Sequence, residues 1–206
     1  MAYRTVKQPG EAELVIKRSR FIGRCFPVAD EQEALRLLEQ VRRQHWDATH
    51  NCYAYSVGVS GACARYSDDG EPSGTAGLPM METLRRSGVT DALVVVTRYF
   101  GGILLGTGGL VRAYTAAASG ALQNAELVSM RLVVDCRLRV PYAQFEQAQR
   151  IIAAAETRLD EPIFDDAVTL CWRMPAGQEG ALCTALNELT RGGAEVEISK
   201  PQYAPF

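Results

Sequence analysis

Hydrophobic positions along the chain first follow a period of two. Leu14 and Ile16 alternate with polar residues between Glu11 and Lys17, and Phe21 to Val28 continues the extended pattern. The spacing predicts two strands with Lys17 and Arg18 in the turn between them. Residues 1–10 show no such pattern and are expected to be a loose start. The period then lengthens. Asp30 stands where an N-cap belongs, Glu33 completes a capping box, and Ala34, Leu35, Leu38 and Val41 share one face of a helix closing on Arg42 and Arg43. Alternation returns from Asn51 to Val59, with Cys52, Ala54 and Ser56 on one face and Tyr53, Tyr55 and Val57 on the other. Gly58, Ser60 and Gly61 mark a turn, and Ala62 to Tyr66 reads as a returning strand.

The densest stretch comes next. An acidic turn, Asp68-Asp69-Gly70-Glu71-Pro72, precedes Ser73 and Thr75, which are placed to cap a helix through Leu78, Met81, Leu84 and Arg85. Asp91 to Thr97, with Leu93, Val94, Val95 and Val96, reads as a buried strand. Five glycines follow within nine residues (Gly101, Gly102, Gly106, Gly108, Gly109), and an alanine-rich helix runs from Leu110 to Leu122. This order of strands and helices fits an α+β sandwich with the helices on one face of the sheet.

The composition shifts around Glu126 to Arg131, which divides the chain into domains 1–128 and 129–206. In the second, Leu132 to Val140 reads as a strand, followed by a helix with Phe145, Ala148, Ile151 and Ile152 facing inward. Two strands come next, Arg158 to Phe164 and Ala167 to Met174, then a helix ending at Leu189 before Gly192-Gly193, and a last strand from Ala194 to Ser199. That order, βαββαβ, is the ferredoxin-like split unit. Pro201 to Phe206 is expected to be a loose tail.

Charge narrows the function classes. There are 14 basic and 13 acidic residues up to residue 130, and 8 and 11 after it, so neither half is the strongly basic body of an avid nucleic-acid binder. Any such binding must rest on a local patch, to which Lys17, Arg18, Arg20 and Arg24 would contribute. The six cysteines form no C-x-x-C, and the start of the chain has no secretory pattern. Both point to reduced thiols in the cytoplasm. No apolar run is long enough for a bilayer.

The candidate chemistry lies around the glycine loop. A strand, a glycine loop and a helix together present bare N–H groups at a helix N-terminus, which attracts anions. Arg98 before the loop and Arg112 in the first helical turn would add charge-assisted bonds to a phosphate or carboxylate. Replacing both by alanine is expected to abolish anion binding without lowering the melting temperature. His50 beside Asp68, Asp69 and Glu71 invites a divalent cation, but no spacing matches a metal motif and the preferred reading is that the carboxylates cap the turn. Cys52, two residues after His50, is the one candidate nucleophile, with no third residue to orient the histidine. No residue is assigned a catalytic role, and no metal or cofactor is called for. The binding candidates are His50, Asp68, Asp69, Glu71, Ser73, Thr75, Arg98, Gly101, Gly102, Gly106, Thr107, Gly108, Gly109 and Arg112.

The run SDDGEPSGTAGLPM, followed by VVVTRYFGGILLGTGGLVRAY, closely resembles the signature of the IMPACT family, in particular its bacterial YigZ branch of two-domain proteins. The resemblance extends to Lys17-Arg18-Ser19-Arg20-Phe21-Ile22 and to residues 47–55, and covers about residues 10–122. It implies a first domain similar to the second domain of a small-subunit ribosomal protein, and a second similar to a C-terminal domain of elongation factor G. It also implies a regulatory, non-enzymatic binding protein linked to translation through RNA, the ribosome or a ribosome-associated partner. The alternative is an enzyme, kinase-like or a hydrolase, holding a small anionic ligand between the acidic turn and the glycine loop. Oligomeric state is left open.

Overall fold

A computed structural model describes residues 2–193 and 195–206, and its contacts divide the chain into two units, Tyr3–Ser129 and Ala2 with Met130–Phe206. Among the described residues the architecture is α+β, with two sheets and five helices.

In the first unit, β2 (Gly10–Ile16) and β3 (Ser19–Pro27) form the expected hairpin. Lys17 and Arg18 both take positive φ, 46° and 65°, the pattern of a tight two-residue turn. Their neighbours Arg20 and Arg24 are neutralised by Glu13 and Glu11 on the facing strand, at 2.7 and 2.6 Å. Helix α1 (Glu31–Gln44) starts as predicted: Asp30 accepts the Glu33 N–H, while the Glu33 carboxylate reaches back to the Ala29 N–H. Ala34, Leu38 and Val41 are buried; Leu35, expected among them, is exposed.

Strands β4 (His50–Val57), β5 (Cys63–Ser67) and β6 (Ala92–Tyr99) complete an antiparallel sheet of order β2-β3-β6-β4-β5. Helices α2 (Gly77–Ser87) and α3 (Thr107–Asn124) pack on the face that carries Cys52, Ala54, Val94 and Val96. Helix α1 packs on the other face, against Tyr55, Leu93 and Val95. The expectation of helices on one face is therefore corrected. The reason is visible in β6: its side chains are apolar at odd and even positions alike, so the strand needs cover on both sides.

The expected loose start is also corrected. Ala2–Gln8 is a strand, β1, beside β7 (Glu126–Val140); Val6 is buried, and Lys7 pairs with Glu126 at 2.6 Å within the first unit.

In the second unit β7 carries Val134, Cys136, Leu138 and Val140 inward and pairs antiparallel with β10 (Val168–Pro175). Helices α4 (Tyr142–Ala153) and α5 (Glu179–Thr190) cover that apolar face. The predicted strand from Arg158 is broken into β8 (Arg158–Leu159) and β9 (Ile163–Phe164), both on β10. The predicted last strand begins at Ala194, outside the described residues; of the rest only Glu197–Ile198, β11, is strand. The tail is not loose: β12 (Gln202–Pro205) pairs with β7 from Met130 to Val133. Fifteen residues of β7 leave ladder positions that short segments fill. The sheet runs β11-β7-β10-β8, every pair antiparallel, which is the interleaved order of a split β-α-β-β-α-β unit.

Candidate functional site

The glycine loop and the acidic turn meet at one end of the five-stranded sheet. The last rung there places Arg98 of β6 between Phe21 of β3 and His50 of β4. Alternation puts Arg98 on the same face as Val94 and Val96, so the charged group points beneath the helices and is only 5% exposed. Its Nη1 donates to Glu71 Oε1 at 2.5 Å, and its Nη2 lies 3.4 Å from Ser19 Oγ. Nε has no hydrogen-bond partner in the structure. The rings of Phe21 and Phe100 lie 5.4 and 5.3 Å from the guanidinium carbon.

Glu71 is held in place by the turn. The Tyr114 hydroxyl of α3 donates to Glu71 Oε1 at 2.8 Å, and His50 Nε2 lies 3.8 Å from the same oxygen. His50 Nδ1 faces the Asp69 carbonyl oxygen at 2.8 Å and must carry the hydrogen of that contact.

Asp68 and Asp69 build the turn and do not line a ligand site. The Asp68 carboxylate accepts from the N–H groups of Gly74, Ala76 and Gly77 at 2.8–2.9 Å. Burial alone would raise its pKa, but the three donors outweigh it and hold the carboxyl below the ordinary range. Asp69 accepts from the Asn51 N–H and from Arg42, at 2.7 and 3.3 Å. The capping role expected of Ser73 and Thr75 is thus taken by Asp68. The residue before α2 is Ala76, Thr75 Oγ1 donates to the Pro72 carbonyl, and Ser73 is exposed. The cation reading loses its ligands in the same way, since each carboxylate already serves the protein. No cluster of metal-binding side chains occurs among the described residues.

Cys52 gives its S–H to the Asp68 carbonyl and lies 3.4 Å from the Tyr114 hydroxyl. Burial, reinforced by the nearby carboxylates, pushes the thiol far above its ordinary pKa. It is a buried hydrogen-bonding thiol, and the His50–Cys52 nucleophile reading is corrected.

Helix α3 starts at Thr107. Gly106, with φ 74°, is its N-cap and supplies no side-chain bond, so the N–H groups of Thr107, Gly108 and Gly109 have no partner within the helix. Arg112 therefore lies in the second turn, but it folds back, its Nη1 about 4 Å from where a side chain on Gly108 would begin. Gly101 is packed so tightly on the backbone of Arg18 that a Cβ there would lie 2.1 Å from it; Gly102 faces open space at φ 81°.

A cavity of about 390 Å³ joins these groups. His50, Glu71, Arg98, Gly106 and Thr107 line it, five of the residues picked out from the sequence. The rest of the wall is Thr49, Pro72, Phe100, Leu104, Leu105 and Leu110, which sequence reasoning missed. The available signal was large apolar residues in a glycine loop: Phe100, Ile103 and Leu104 are 45%, 40% and 80% exposed. Chemically, the cavity sets a buried Arg98–Glu71 ion pair and a helix N-terminus under a mostly apolar rim, and suits a ligand with a polar end on an apolar or aromatic body.

Residues 17–122 match the family model of the Impact N-terminal domain, and residues 138–192 match that of a domain of unknown function. The chain is 37% identical over 202 residues to the IMPACT family member YvyE of Bacillus subtilis, covering 98% of this chain and 93% of that one. It is 34% identical to the IMPACT family member YigZ of Escherichia coli, covering 88% and 90%. A crystal structure described as that of a hypothetical protein aligns over 97% of this chain and 98% of its own, with 32% identity and a TM-score of 0.63.

Proposed function

The chain belongs to the IMPACT family, in its YigZ-like two-domain form, and from that premise we propose a binding protein that acts on translation by engaging RNA at the open end of its N-terminal sheet. Eukaryotic IMPACT regulates translation, and the domain with that name holds the cavity in this chain. The observation that carries the reading is the cavity itself, where the buried Arg98–Glu71 pair and the uncapped start of α3 meet under a rim of Phe100 and Leu104. Lys17 and Arg18 on the adjoining hairpin turn are both exposed, and Arg18 abuts the loop at Gly101. Donors for phosphate beside aromatic and apolar faces are what a single strand of RNA needs. A likeness of the two units to a ribosomal protein domain and to an elongation-factor domain belongs with the same reading. The enzyme alternative has less behind it: burial pushes the Cys52 thiol far above its ordinary pKa, and the carboxylates are committed to the turn and to Arg98.

Co-sedimentation with bacterial ribosomes, their separated subunits and ribosomal RNA across a salt series tests the proposal. Association should persist at moderate salt and be weakened by Leu104→Glu, which places a negative charge at the mouth of the cavity on an exposed side chain. Association that disappears just above low salt would be nonspecific charge attraction. Its absence at every salt would overturn the RNA reading and leave a small anionic metabolite as the ligand.

A further inference from the structure

We infer that His45 is an acid-sensitive latch: its neutral ring clamps the end of α1 to the sheet, and taking up a proton releases residues 45–49, the segment that leads from α1 into the cavity wall. His45 is the C-cap of α1 and is 9% exposed, on the sheet face opposite Arg98. Its ring is held at both nitrogens. Nε2 meets Arg24 Nη1 of β3, and Nδ1 lies 2.8 Å from the Tyr99 hydroxyl of β6. A guanidinium only donates, so Nε2 must offer its lone pair and Nδ1 must carry the hydrogen. Nδ1–H then donates to the Tyr99 oxygen, whose own hydrogen goes to Asp47 Oδ1 at 3.3 Å. One tautomer of the uncharged ring therefore matches every donor to an acceptor. A second proton would set an N–H and a positive charge against Arg24.

The surrounding charges decide the sign. Arg24 is pinned to Glu11 of β2 at 2.6 Å, with its side chain 13% exposed, so it has little room to swing away. Arg20 pairs with Glu13 at 2.7 Å and lies over the Tyr99 ring. On α1 itself, Arg42 and Arg43 share the last turn. The carbonyl end of α1 favours a cation, as do Asp47, which meets the ring through Tyr99, and Glu11, which meets it through Arg24. Burial first, then Arg24 and Arg20, outweigh them and hold the imidazole below its ordinary pKa. A detached His45 takes up its proton at about 6.5. Above that value both forms are neutral and nothing is lost; below it, protons favour the detached form. What detaches is set by the bonds of the segment. The Ala48 N–H and the Asn51 side-chain amide both donate to the His45 carbonyl, and the Thr49 N–H donates to the Arg98 carbonyl at 2.9 Å. Thr49 lines the cavity and its Oγ1 accepts from the Phe100 N–H, so loosening reaches the cavity mouth. The latch is independent of what the cavity binds.

His45 and His50 are the only histidines of the sequence, so NMR of the imidazole rings gives two titrations, assigned with His45→Gln. Glutamine can accept from Arg24 and donate to Tyr99, but it cannot titrate. In the parent, His45 should show the Nδ1–H tautomer and titrate below the ordinary histidine range, and Arg24→Met should move that titration upward. Amide exchange at Ala48 and Thr49 in the full chain should become several-fold faster in the parent than in His45→Gln at about pH 5, and should match it at about pH 7.5. An Nε2–H tautomer, or a titration at or above the ordinary value, would overturn the inference. So would exchange that is equal in the two proteins at both pH values.

Discussion

Arg98 ends an apolar strand face, and a guanidinium buried there must be compensated. Glu71 supplies the opposite charge, Tyr114 shares the carboxylate, and Ser19 lies beside Nη2. Removing one partner of such a pair leaves the other buried and uncompensated, at a cost of about 3–5 kcal/mol. Arg98→Ala should therefore lower the urea midpoint markedly at neutral pH, so the expectation that it would remove anion binding at no cost in stability does not survive the structure. Combining Arg98→Met with Glu71→Gln should recover most of that stability while leaving phosphate binding lost. A double variant that binds phosphate like the parent would show that the pair serves the fold alone. Half of this was legible in the sequence. Arg98 follows Val94 and Val96 at intervals of two, and the alternation alone says that it points inward. Glu71 as its partner was not legible, because the pairing closes across 27 residues through the packing of the turn.

At the level of elements, α3 lies unusually close to the first hairpin. Its buried face is Ala113, Ala117, Ala118 and Ala121, and a Cβ on Gly23 of β3 would lie 2.3 Å from the Ala117 carbonyl oxygen. Backbone, not a flexible side chain, blocks that position. Gly23→Ala should therefore push the helix off the sheet and cost about 1–3 kcal/mol or more. Gly180 on α5 has open space around it, and Gly180→Ala should gain about 0.5–1 kcal/mol by helix propensity. Thermal melts of the two variants against the parent check both signs. The alanine-rich helix was legible because its small residues sit at helical spacing. Strands β1 and β12 were not: neither carries a clear apolar alternation, and each forms because β7 offers a free edge. In the same way, cover on both sheet faces could be read from Leu93 to Val96 only once the run was seen as a central strand and not an edge.

For the whole molecule, the consequence is thermodynamic. The first unit has clusters on both faces of its sheet, around Phe21, Met80 and Tyr114 and around Tyr55 and Leu93, while the second is built on Leu138, Trp172 and Leu186. These are separate cores, each of a size that supports its own cooperative transition. Calorimetry should therefore resolve two unfolding steps, even though the near-neutral charge of the chain gives no hint of a division of labour. If the site lies wholly in the first unit, a single-stranded RNA oligonucleotide stabilises that unit alone. At a hundredfold excess over its dissociation constant the gain is about 2.7 kcal/mol, which moves one transition up by several degrees and leaves the other where it was. The same addition to Leu104→Glu should move neither. Two steps that rise together in the parent would mean that ligand binding draws on the second unit as well, and would overturn the proposed placement of the site in the N-terminal domain.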